Sequence, residues 1–92
     1  MQTYVACFDI SDDRIRRSVS RRLEHFGCRV QRSVFEISVD SPKGLEELRQ
    51  ELLGWIEDED DVRFYPLCRE CRRKSQNAQG MRVAAFPAAI IA

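Results

Sequence analysis

The chain has 92 residues, 43% of them hydrophobic, which is one domain with enough apolar material for a core and argues against disorder. Fifteen basic and fifteen acidic side chains balance to a formal net charge of zero. No apolar run reaches the ~18 residues a membrane helix needs, the start lacks a basic-then-apolar leader pattern, and four cysteines without such a leader read as reduced thiols, so a soluble, cytoplasmic protein is expected.

The first segment, "TYVACFDI", is apolar on both alternating faces, with Tyr4, Ala6 and Phe8 on one and Val5 and Cys7 on the other. A strand with one solvated face alternates apolar with polar, so this one is expected to be covered on both sides. "SDDRIRRSVSRRLEHFG" follows as a helix with Ser11 or Asp12 as N-cap and Gly27 as its stop. Ile15, Val19, Leu23 and Phe26 form its apolar stripe, which leaves Arg14, Arg17, Arg21 and His25 on the exposed side.

"CRVQRSVFEISVD" has strand composition and room for two short strands, but no Asn-Gly-type turn marks a break. "SPKGLEELRQELLGWIE" reads as a second helix, with Ser41 as N-cap, Pro42 at the first helical position, and a stripe of Leu45, Leu48, Leu52, Trp55 and Ile56. "DVRFYPLC" is a further strand, "RECRRKSQNAQG" a polar connection, and "MRVAAFPAAIIA" a short apolar end.

Strands alternating with two amphipathic helices predict an α+β protein, a ferredoxin-like βαββαβ sandwich with both helices on one sheet face. Residues 1–67 form the expected core, 68–80 a basic loop, and 81–92 a C-terminal extra strand. The bare sheet face is expected to meet a second copy in a symmetric homodimer, with the "AAIIA" end extending a sheet of the partner.

Charge is segregated along the chain. Arg14, Arg16, Arg17, Arg21, Arg22, Arg29 and Arg32 stand against only Glu24 over residues 14–32, while over residues 46–61 the acids Glu46, Glu47, Glu51, Glu57, Asp58, Glu59, Asp60 and Asp61 stand against only Arg49. "CRECRRK" is basic again. Any one block reads as a solvated face, but two arginine-rich blocks in a small domain favour a polyanionic partner. "RVQRSVFE" adds Arg29, Arg32 and Phe35, which is arginine for phosphate and an aromatic for a base, or equally a strand with one polar and one apolar face.

Asp9 has two readings on the residues alone. It is where a strand reaches water, the ordinary case, or it is a metal ligand that gains a second carboxylate from its own copy across a dimer axis; Mg²⁺ is held by one or two carboxylates with water or phosphate oxygens besides. The Cys68–Cys71 pair supplies half a zinc site, or a pair able to oxidise, or two ordinary thiols. A Gly-rich phosphate loop, a HExxH motif and a nucleophilic triad are absent from the sequence.

The run "FDISDDRIRRSV", then a helix, a glycine and "RVQRSVFE", together with the later "VRFYPLCRECRRK", resembles the CRISPR-associated Cas2 family over nearly the whole chain. The resemblance implies a ferredoxin-like dimer whose C-terminal strand joins the partner's sheet. It implies a role in spacer acquisition, bridging the Cas1 integrase and contacting duplex DNA, and a Mg²⁺-dependent endonuclease activity on RNA or double-stranded DNA. Asp9 is then the catalytic residue and the Mg²⁺ ligand, one ion being shared by two copies, with Arg16, Arg29 and Phe35 beside it. Ser11 and Ser33 match the family's motifs, whereas Ser18 stands where some members have an arginine. The competing readings are a non-catalytic adaptor that binds duplex DNA and bridges Cas1, and a toxin-like ribonuclease of the related virulence-associated D type.

Overall fold

The computed structural model describes residues 1–84. Four strands, β1 (Gln2–Asp9), β2 (Gly27–Gln31), β3 (Val34–Val39) and β4 (Asp61–Pro66), form one antiparallel sheet in the order β2-β3-β1-β4. Helices α1 (Asp13–Glu24) and α2 (Pro42–Leu53) connect the strands, and a short helix α3 (Arg69–Lys74) follows β4. This is the ferredoxin-like split arrangement, with β1 central between β3 and β4. No helix among the described residues is long and apolar enough to cross a membrane.

The period of two in the strands and the helical stripes meet in one core. Tyr4, Ala6 and Phe8 of β1 and Phe35, Ile37 and Val39 of β3 pack against Val19 and Leu23 of α1 and Leu48 and Leu52 of α2. Both helices therefore lie on one sheet face, and a 2.6 Å ion pair between Arg22 and Glu51 joins them. The opposite face carries Val5 and Cys7, only half-buried, so β1 is covered on one side rather than two within the described residues.

Other local expectations need adjusting. Helix α1 ends at Glu24 with His25 as C-cap in a right-handed conformation, so Gly27 is not its stop. Gly27 instead opens β2 opposite Ile37, where a Cβ would overlap the Glu36 carbonyl oxygen and lie 2.8 Å from Ile37 Cα. The close approach of β2 to β3 is what requires glycine there. Trp55 lies beyond the end of α2 and is 38% exposed rather than part of a buried stripe. The strand break falls at Arg32 and Ser33, and Val30 is an extra, bulged residue between the Arg29–Phe35 and Gln31–Val34 pairs.

The expected loop at 68–80 contains α3, capped by Cys68. Its six residues include the acid Glu70 in the first turn and Arg72, Arg73 and Lys74 in the last, matching the helix dipole. Of the expected C-terminal strand, Arg82 bridges Gln76, and residues 85–92 lie outside the described residues.

One titration belongs to the open face. Glu36 sits between Val5 of β1 and Cys28 of β2, and partial burial pushes its carboxyl above the ordinary value of 4.5. An acid whose folded pKa is raised favours folding most when protonated. That stability is present below pH 4.5 and lost as pH rises through the folded value. Glu36→Gln is expected to be more stable than the wild type at pH 7, with the gap closing towards pH 4, as read by urea unfolding at both pH values. Equal gaps at the two pH values would count against the burial argument.

Candidate nucleic-acid interface and metal-binding carboxylate

Helix α1, the end of β1 and the β2–β3 turn converge at one end of the sheet. Asp12 starts α1 by accepting the backbone N–H groups of Arg14 (2.8 Å) and Ile15 (3.0 Å). The Ile15 N–H, more than the others, holds the Asp12 carboxyl below its ordinary value. The Phe8 N–H donates to the Ser33 carbonyl at 3.1 Å and ties the hairpin turn to β1.

Between α1 and that turn runs a groove of about 500 Å³. Arg16, Arg17, Arg21, Arg29 and Arg32 line it, with Ser20, Ser33, Asp13 and Glu24. The five arginines do different things. Arg16 Nη1 donates to the carbonyls of Ile10 (2.8 Å) and Ser11 (2.9 Å), and its guanidinium also pairs with Asp13. Arg29 donates from Nε (3.0 Å) and Nη2 (2.6 Å) to the Arg32 carbonyl. These two fasten the turns that frame the groove.

Arg17, Arg21 and Arg32 make no side-chain hydrogen bond or ion pair among the described residues. They are exposed, and with Asp13 paired to Arg16 only Glu24 stands against them, so the groove keeps a surplus of positive charge. Arg14 is exposed too, but it lies outside the groove lining.

Phe35 corrects an expectation. Its ring is fully buried, 0% exposed, stacked on Phe8 with centroids 6.1 Å apart and lying under the Arg29 guanidinium at 5.7 Å. A ring enclosed in this way does not present a face to a base. Its part in the site is to support Arg29, whose cation sits over the negative face of the ring. Losing so large a buried side chain costs about 3–5 kcal/mol in general, so its replacement would act through the fold.

Asp9 is exposed at the end of β1, and its carboxylate has no partner among the described residues. By alternation it belongs to the open sheet face, opposite the core-facing Phe8. Its register partner is Asp61 of β4, on the same face as Arg63 and Tyr65. A shallow hollow of about 250 Å³ is lined by Cys7, Asp9, Asp61, Arg63 and Tyr65. Arg63 Nε donates to Asp61 Oδ2 at 2.8 Å and Nη1 to the Tyr65 hydroxyl at 3.1 Å, and these bonds, Tyr65 first, raise the guanidinium's pKa further.

Asp61 is thus engaged, and Asp9 is the free carboxylate of the pair. Among the described residues no cluster of three or more metal-ligating side chains exists. A hard cation that needs one or two carboxylates and takes other oxygens from water or phosphate fits this donor set. Asp61, Arg63 and Tyr65 were invisible as site residues in the sequence, where "DVRFY" shows only a strand. The alternation of Asp61, Arg63 and Tyr65 is the signal that places them on one face.

The comparisons agree with this architecture. The family model described as CRISPR associated protein Cas2 matches residues 1–75. The CRISPR-associated endoribonuclease Cas2 2 of Methanospirillum hungatei is 40% identical over 74 residues, covering 80% of this chain and 82% of that protein. The CRISPR-associated endoribonuclease Cas2 3 of a Synechocystis species is 44% identical over 68 residues, 73% of each. Among solved structures, a chain of a partial Cas6-RT-Cas1–Cas2 complex superposes with a TM-score of 0.86 at 34% identity, covering 94% of this chain and all of that one. Streptococcus pyogenes Cas2 at pH 6.5 does so with a TM-score of 0.73 at 27% identity, covering 82% and 96%. A split βαββαβ sheet, a strand ending in a free aspartate and a family match over residues 1–75 converge on one conclusion: the chain belongs to the CRISPR-associated Cas2 family.

Proposed function

We propose that the protein serves CRISPR spacer acquisition as a homodimer that binds nucleic acid, works with the Cas1 integrase, and cleaves phosphodiester bonds with Mg²⁺ held by Asp9 from each of two copies. The observation that carries this reading is the free Asp9 carboxylate at the same end of the sheet as the arginine groove. The endoribonuclease names of the relatives and the Cas1-containing complex of the structural neighbour support it.

Asp9 lies on the face that no helix covers, where half-buried Val5, Cys7 and Val34 offer an apolar surface to a second copy. The Asp9 carboxylates would hold the Mg²⁺, which would supply polarisation of a phosphodiester and stabilisation of the charge developing on it. The chain's own residues do the rest. Arg16 sets the position of the β1–α1 turn that follows Asp9, and Arg17, Arg21 and Arg32 attract the phosphate backbone. With Phe35 buried and Phe8 only 8% exposed where it lines the groove, the groove offers chiefly charge, so sequence-independent backbone binding is the expected mode.

The groove lies on the helix side and Asp9 on the open side, which favours one second reading. Binding and cleavage could be separate, leaving a non-catalytic adaptor that holds duplex DNA for Cas1. The test compares wild type with Asp9→Ala on labelled single-stranded RNA and duplex DNA, in Mg²⁺ or EDTA, with duplex binding measured in parallel. Cleavage that requires Mg²⁺ and falls by a factor of about a hundred or more in the variant, with binding intact, is the expected result. No cleavage by the wild type, or equal cleavage by both proteins, removes Asp9 from catalysis and leaves the adaptor.

A further inference from the structure

Cys68 and Cys71 lie on neither the arginine groove nor the Asp9 hollow. Both are exposed and free. Cys68 is the N-cap of α3, in extended backbone, and its Sγ accepts the Cys71 backbone N–H at 3.4 Å. That contact folds the Cys68 sulfur back onto the backbone of the residue that carries the second thiol. A disulfide needs a Cβ separation of about 3.5–4.5 Å, and from that position a small turn of the cap residue brings the two sulfurs into bonding range. The helix surrounds them with Arg69, Arg73 and Lys74, while its single acid, Glu70, is paired with Arg73 and Lys74. Nothing in the nuclease or adaptor reading uses this arrangement.

We propose that Cys68 and Cys71 form a thiol–disulfide exchange site whose substrate is a small-molecule disulfide of the glutathione type. The Cys68 thiolate attacks one sulfur of the disulfide, the S–S bond breaks, and the first glutathione leaves as a thiolate that takes up a proton. Cys71 then gives up its proton and attacks Cys68 Sγ in the mixed disulfide, expelling the second glutathione. Two protein thiols are oxidised, one external disulfide is reduced, and two molecules of glutathione thiol are released.

The order of attack follows from the cap. The Cys71 N–H and then the Cys71 thiol hydrogen-bond to the Cys68 sulfur and lower its pKa, while the same thiol contact raises that of Cys71. The Cys68 sulfur, which accepts the Cys71 N–H, is the more ionised of this C-x-x-C pair, and the thiolate is the attacking species. Cys28, exposed on β2, has Glu36 rather than a cysteine as its cross-strand neighbour, so exchange there stops at a mixed disulfide.

The experiment incubates the full chain, with EDTA present, in glutathione buffers running from fully reduced to fully oxidised, followed by acid quench, alkylation and peptide mass spectrometry. The expected result is a Cys68–Cys71 disulfide that excess reduced glutathione reverses. Cys71→Ser is expected to accumulate glutathione on Cys68, and Cys68→Ser to slow reaction at Cys71 about tenfold. Serine is itself a favoured N-cap, so Cys68→Ser keeps α3 in place. Free thiols at both positions in the fully oxidised buffer, or separate glutathione adducts on each, would overturn the proposal.

Discussion

A variant carrying Arg17→Ala, Arg21→Ala and Arg32→Ala is expected to lose most of its affinity for duplex DNA and most of the salt dependence of binding, while folding as the wild type does. These three guanidiniums are exposed, line the groove and hold nothing else in place among the described residues. Each phosphate neutralised on B-DNA contributes about 0.9 to the slope of log K against log salt, so removing three should lower the slope by roughly 2.7. At low salt the affinity should fall by roughly a hundredfold or more, since charge-assisted contacts are the stronger class of hydrogen bond.

Arg16→Ala is the informative contrast. Arg16 spends its donors on the carbonyls of Ile10 and Ser11, so its loss is expected to lower the melting temperature and change the salt slope by less than one of the outer arginines does. Fluorescence anisotropy over a salt series, with thermal unfolding of both variants, reads both effects. An unchanged slope in the triple variant would move the nucleic-acid interface off this groove altogether.

The second large effect is expected at Gly27. In Gly27→Ala the new methyl group meets backbone atoms of Glu36 and Ile37, which have no rotamer to escape into. Relief requires β2 to pull away from β3, and the hairpin bearing Arg29 and Arg32 moves with it. A loss of about 3 kcal/mol or more of stability follows from overlap of this kind with backbone, together with weakened duplex binding.

Gly44→Ala is the matched control. Its Cβ would sit 3.7 Å from Val39 Cβ and 3.8 Å from Ser41 Oγ, both ordinary contacts, and alanine is worth up to about 1 kcal/mol over glycine inside a helix. Urea unfolding is expected to show opposite signs for the two variants. The same sign and size for both would refute the close-approach account of Gly27.

Much of the framework can be read from local signals. The Ile15–Val19–Leu23 stripe, the Asp12 cap and the Ser41–Pro42 start are short-range features, and the helices form where those signals lie. The alternation of Phe35, Ile37 and Val39 was equally visible, and it outranks the appeal of an aromatic beside arginines: a period of two ending in a core strand marks a buried ring. The break between β2 and β3 escaped because Arg32–Ser33 carries no turn-specific residue and the bulge at Val30 shifts the pattern by one. Gly27 misled because a glycine after a helix usually ends it, whereas here the cause is a neighbour ten residues further along. Sorting Arg16 and Arg29 from Arg17, Arg21 and Arg32 is a tertiary matter, since the carbonyls that occupy the first two are fixed only when β1, α1 and the hairpin come together.

The strand order carries a consequence for self-association. With β2 and β4 outermost, each sheet margin has backbone donors and acceptors that the sheet leaves unmatched among the described residues, which is the template on which sheets grow indiscriminately. Each margin is guarded differently. The β2 margin is broken by the extra residue Val30 and flanked by Arg29 and Arg32, so a straight strand cannot lie flush along it. The β4 margin alternates Asp61 and Arg63 and closes with Pro66, which has no N–H to give. A strand that docks on either margin must match a kink or a specific order of charges, so addition to this sheet is selective and the protein is expected to remain free of fibrous aggregates at concentrations where a plain apolar margin would not.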